Sequence, residues 1–194
     1  MNTTTHALIG LALLGRRGRP IRNRWVLFGS LLPDIAIFIW GAWHMLVLRT
    51  DPELLWGTLY FEPFMQGVIA PINSIPVFVA LAAIGAWQRR RRWGMLLLLA
   101  SLAALIHIAF DLPVHSEDAY RHFWPLSDWR YNSPLSYWNS EDNARLVVGV
   151  EALIAALCGV VLWRRFPHRW KRVLTALVSG ATVVMSTLIF IAWS

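Results

Sequence analysis

Apolar runs close to the roughly 20 residues that a bilayer core demands recur five times in this chain, at about 25–48, 72–88, 93–112, 147–163 and 173–193. At membrane depth every backbone N–H and C=O must be satisfied within the protein, and a helix does this inside one segment. A hydrophobic content of 57% with 12 Trp is more apolar than a water-soluble domain needs. The expected fold is therefore all-α: a polytopic membrane protein of about five transmembrane helices, forming a single helical membrane domain over residues 1–194 without internal repeats. A sixth apolar stretch, Ala7 to Leu14, is too short to cross. Arginines follow it rather than precede it, the wrong polarity for a secretory signal. It reads as a short N-terminal half-inserted helix beginning near His6, capped by Thr3, Thr4 and Thr5.

The net charge of +7 raises the question of nucleic acid, but the position of the charges answers it. All but four of the 18 Lys and Arg residues fall in three clusters that abut the spans: Arg16 to Arg24, Arg89 to Arg92, and Arg164 to Arg172. None of these clusters holds an acidic residue, whereas the loops at 49–71 and 113–146 hold most of the Asp and Glu. By the positive-inside rule the basic loops are cytoplasmic and those two loops lie outside. The expected partners are membrane lipids, with no nucleic acid, and the expected location is the bacterial cytoplasmic membrane. Cys158 is alone and within an apolar span, so neither a disulfide framework nor a thiolate zinc site is expected.

Ionisable groups inside apolar spans are costly and mark sites. Asp34 lies about 15 Å above Arg24 at 1.5 Å per residue, and His6 is at a similar height above Arg16. Pro33 removes a backbone donor four residues after Gly29, so a bend or break is expected over Gly29 to Asp34. His107 and Asp111, four apart, share one helical face at the end of the third span, and Pro113 ends that helix and lets His115 fold back over its mouth. His6, Asp34, His107, Asp111 and His115 thus occupy one stratum as candidate ligands. Imidazole nitrogen with carboxylate oxygen suits zinc, manganese or iron.

Glu151, in the fourth span, reaches the same layer as a candidate ligand or base, with a hydrogen bond or an ion pair, for example to Arg145, as the plainer reading. The outer loop at 113–146 is too long and too aromatic for a tether and reads as a lid. Trp124, Trp129, Tyr131, Tyr137 and Trp138 suit the headgroup layer. His122 and Asp128 in this loop are candidate substrate contacts. His44, beside Trp40 and Trp43, reads as interfacial.

Thr5-His6-Ala7-Leu8-Ile9-Gly10, Gly29-Ser30-Leu31-Leu32-Pro33-Asp34 and the His107-x3-Asp111 pair together resemble a family of membrane-bound metal-dependent hydrolases. That family includes inner-membrane members under LexA control and is distantly similar to zinc-dependent phospholipase C. The resemblance spans roughly residues 1–138. It implies metal ligation by His6, Asp34, His107 and Asp111. One departure stands out: where many members carry a His-containing stretch, this chain reads Ile72-Asn73-Ser74-Ile75, and Asn73 is a poor zinc ligand.

The expected function is a membrane-embedded hydrolase of an ester or phosphoester, lipid-linked because the site is embedded, presented at the outer side of the membrane. A metal-activated water is the expected nucleophile. Asp111 or Glu151 would accept its proton, and His115 or His122 would protonate the leaving group. No Gly-x-Ser-x-Gly elbow supports a serine nucleophile. Two alternatives stand beside this expectation. One is a metal-ion or small-solute transporter, against which counts the lack of repeated halves with paired broken segments. The other is a noncatalytic, metal-stabilised structural protein.

Overall fold

The structure, a computed structural model, describes residues 1–137 and 143–192. Every regular element among them is helical. The short α1 (Thr3–Leu14) precedes α2 (Pro20–Ala42), which continues as a π-helical turn, Trp43–Leu48. Next come α3 (Pro52–Gly57), α4 (Pro63–Ile72), α5 (Ile75–Trp87) and α6 (Arg92–Asp111). After the outer segment follow α7 (Ala144–Arg165) and α8 (Arg169–Ala192). Five apolar stretches are long enough to cross a membrane: Pro20–Leu48, Pro63–Trp87, Arg92–Val114, Ala144–Arg165 and Arg169–Ala192. Pro20 and Pro63 open their helices at the first position, where a missing N–H costs nothing.

The half-inserted α1 packs against α2, α6 and α7 rather than lying on the surface. Its buried face is Thr5, His6, Leu8, Ile9 and Gly10. Ending a helix in apolar surroundings leaves carbonyls without partners. Here the Arg165 guanidinium from the cytoplasmic end of α7 donates to the oxygens of Leu11, Ala12 and Gly15 at 2.9, 2.7 and 2.9 Å. At the other end α1 begins three residues earlier than expected, with Asn2 rather than a threonine at the cap position. The Asn2 backbone N–H and the Thr5 hydroxyl both donate to Glu151, at 2.6 and 2.8 Å.

Helix pairs approach closely where residues are small, as packing within lipid requires. Gly29 of α2 lies against the backbone of α6, where a Cβ would fall 2.0 Å from the Ala100 oxygen. This contact sets the spacing between the helices that carry Asp34 and His107.

The expected interruption at Pro33 is not found: α2 stays helical through it. Side-chain donors on neighbouring helices support the carbonyls of this turn, His107 Nδ1 serving Ser30 at 2.7 Å and Asn73 Nδ2 serving Pro33 at 3.1 Å. The interruption is in the second span, at Asn73–Ser74 between α4 and α5. The second span therefore starts at Pro63, not near 72, and Asn73 lies inside it rather than at its outer start. The outer segment supplies the backbone partners at this break. His122 accepts from the Ile75 N–H at 2.8 Å and its ring Nδ1 lies 3.1 Å from the Asn73 oxygen, while the Ser74 hydroxyl bonds the Trp124 carbonyl.

The outer segment is thus fastened to the helices, and part of its aromatic content lies inward. Trp129 and Tyr131 are exposed at its surface, as the headgroup layer suits. Tyr137 is not: it is 1% exposed and its hydroxyl accepts from Asn2 Nδ2 at 2.6 Å. Trp138 lies outside the described residues.

Candidate metal centre

Three helices bring the polar stratum together. His6 comes from α1, Asp34 from α2, and His107 and Asp111 from successive turns of α6. The His6 and His107 rings stack with centroids 3.6 Å apart and planes 17° from parallel. Their Nε2 atoms lie 2.9 and 3.0 Å from the two oxygens of Asp111. His107 Nε2 is also 3.5 Å from Asp34 Oδ1. One ligand atom from each of His6, His107 and Asp111 falls within 4.8 Å of the others. His6, His107 and Asp111 are at most 2% exposed, and Asp34 is 9% exposed, the most accessible member.

The donor chemistry of this arrangement fits a cation. His107 Nδ1 faces the Ser30 carbonyl at 2.7 Å, which requires a proton on Nδ1. In the neutral imidazole Nε2 is then a lone pair, turned toward two carboxylates. Like-facing acceptors repel unless a proton or a metal ion lies between them. A ligand histidine whose other nitrogen is held by a backbone carbonyl is the common arrangement around metals. His6 Nδ1 is buried with no hydrogen-bond partner. The site also draws in the chain's first residues: the Met1 amino nitrogen is 2.8 Å from Asp111 Oδ1, and the Thr3 hydroxyl donates to Asp34 Oδ2.

His115 stands at the rim. Its Nε2 is 3.7 Å from Asp111 Oδ2, and its Nδ1 is 2.6 Å from Asp118 Oδ2. Burial pushes this imidazole down, but the carboxylates of Asp111 and Asp118 outweigh it and hold the pKa at about 9. Asp118 escaped the sequence reading. Its signal was the spacing His115-x-x-Asp118, which in a loop of unknown shape says little.

The remaining candidates are placed apart. Both oxygens of the fully buried Glu151 are occupied, by Asn2, Thr5 and Ser186. The plainer reading of Glu151 thus takes its hydrogen-bonded form, and Arg145 lies over the Phe190 ring. His122 sits behind Tyr120, ring to ring at 5.7 Å, and fastens the helix break; burial lowers its pKa. Asp128 pairs with Arg121 at 3.0 Å on the exposed outer surface. His44 bonds Thr50 at 3.0 Å at the outer end of the first span.

No curated protein and no solved structure matches the chain. The five apolar spans and the segregation of Lys and Arg at their ends describe a multi-pass membrane protein. The model of the family described as YdjM inner membrane protein matches residues 1–193, practically the whole chain, and the chain belongs to that family.

Proposed function

We propose that this protein is a metal-dependent hydrolase of an ester or phosphoester linkage in a lipid-linked substrate reached from the outer side of the inner membrane. The observation that carries this reading is the convergence of the buried His6 and His107 Nε2 atoms on the Asp111 carboxylate, with the far side of His107 fixed to a backbone carbonyl. His6, His107 and Asp111 would hold the ion and Asp34 would complete the set from the accessible side, with zinc the first expectation and manganese or iron the alternatives. A divalent cation in such a site supplies a water acidified to near neutral pH and polarises the bond to be cleaved.

The chain's own residues divide the remaining work. Asp118 holds His115 Nδ1, so His115 Nε2 is aimed toward Asp111 and is the group placed to protonate a leaving oxygen. Asp34, with 13% of its side chain exposed, marks the face where substrate enters. Glu151 has no free oxygen to take a proton, and His122 faces the helix break, so neither carries a step.

A noncatalytic metal clasp is the second reading, favoured by the near-complete enclosure of three of the four ligands. Elemental mass spectrometry on the detergent-purified protein tests the common premise. Near-stoichiometric zinc, manganese or iron is expected in the wild type and its loss in His107→Ala. No metal in the wild type, even after reconstitution, would sink both readings. Metal-loaded protein that cleaves no lipid ester or phosphoester, yet melts at a lower temperature once chelated, would select the clasp.

A further inference from the structure

We propose that a cavity between the outer ends of the first and second spans binds the ammonium head group of a zwitterionic phospholipid, with Glu62 as counter-charge and Trp40, Trp43 and Phe64 as walls. Trp40, Trp43 and His44 are spaced by three and four residues, so they share one face at the outer end of the first span. The chain returns through α3 and places Glu62, Phe64 and Met65 opposite that face, leaving a half-open hollow of about 330 Å³ in which the Trp43 and Phe64 walls stay exposed to an incoming head group. This volume lies at the lower end of the range for small-molecule sites.

The chemistry of the walls is selective. Aromatic faces with a carboxylate attract an ammonium group through the ring quadrupole and direct charge pairing, and offer nothing to offset the net negative charge of a head group that lacks one. Glu62 is the residue preceding α4, where an acidic side chain would ordinarily turn back to cap the helix, yet it makes no such bond. It lines the cavity instead. A π-helical turn runs from Trp43 to Leu48, a departure from α-geometry that often accompanies a site. The position is the outer lipid–water boundary, where phospholipid head groups reside.

The cavity also neighbours the metal centre. Met65 forms one of its walls and packs in a cluster with Tyr60, Ile69 and Tyr120, and the Tyr120 ring lies 5.0 Å from His115. That cluster therefore connects the two sites. Head-group binding does not require the hydrolase reading, but it would give that reading a substrate class.

Native mass spectrometry with short-chain phosphatidylethanolamine and, separately, phosphatidylglycerol tests the inference on the full-length protein. The wild type is expected to retain phosphatidylethanolamine about fivefold more strongly, the worth of one partly desolvated ammonium contact. Glu62→Gln and Trp43→Ala should each bring that ratio close to one, while Trp43→Phe, which keeps an aromatic wall, and Glu117→Gln, elsewhere on the outer side, should preserve it. Equal retention of both lipids by the wild type, or an undiminished ratio in Glu62→Gln, would overturn the proposal and leave an aromatic belt only. Metal content measured on the same Glu62→Gln sample is expected to match the wild type, so the two proposals fail separately.

Discussion

Glu151 shows how two buried carboxylates in one stratum take different work. Asp111 faces two imidazole nitrogens, whereas Glu151 faces the Asn2 backbone N–H, the Asn2 amide and the hydroxyls of Thr5 and Ser186. An acceptor surrounded only by donors is a structural anchor, here for the start of α1. Glu151→Gln sets an NH₂ group against the donors that served one of those oxygens, and leaving a buried group unsatisfied costs about 1–3 kcal/mol. The variant is expected to unfold at lower temperature in detergent while keeping wild-type metal content. Metal loss at unchanged stability would make Glu151 a ligand instead. The sequence could not separate these roles. The common depth of His6, Asp34, His107 and Asp111 was legible from helix rise and i, i+4 spacing, whereas their convergence on one another rested also on the family resemblance. The partners of Glu151 and Asp118 depend on how α7 and the outer segment pack, which no local pattern encodes.

Among the elements, α2 and α6 carry the greatest burden, because their spacing sets the distance from Asp34 and the Ser30 carbonyl to His107. Gly29 keeps that spacing small. Adding a methyl there would place a carbon 2.0 Å from the Ala100 oxygen, and backbone cannot yield as a flexible side chain can. Overpacking of this kind typically costs about 1–3 kcal/mol. Gly29→Ala is expected to lower the melting temperature and weaken metal retention together, read by thermal unfolding and elemental analysis; a fully metallated, equally stable variant would show that the helices part without disturbing the centre. The spans themselves were readable from apolar length, and α1 from its inability to cross. The break that Pro33 allowed, by contrast, lies in another span. Helix persists through Pro33, where His107 and Asn73 meet the Ser30 and Pro33 carbonyls. At Asn73–Ser74 the outer segment offers its own backbone partners, and the chain opens there instead. Whether a turn at membrane depth breaks depends on which neighbours can satisfy it, and those neighbours are remote in sequence.

For the whole molecule, orientation decides which leaflet the site serves. The loop between α1 and α2, the loop between α5 and α6 and the loop between α7 and α8 all lie at one end of the bundle with the three arginine-rich clusters. The His6, His107 and Asp111 cluster and the outer segment lie toward the other. Arg165 ties the two halves of this logic together, since one basic residue both marks the cytoplasmic end of α7 and closes the inner end of the helix that carries His6. Arg121 and Arg130, two of the few arginines outside the clusters, donate to Gln66, and so serve the fold of the outer segment rather than topology. With Cys158 replaced by Ser, a single cysteine at the exposed Ser127 should react with a membrane-impermeant maleimide in intact cells, while one at the exposed Arg90 should react only after permeabilisation. The opposite pattern would turn the bundle over, place the centre above the inner leaflet and redirect the search for a substrate to lipids and lipid-linked intermediates on the cytoplasmic face.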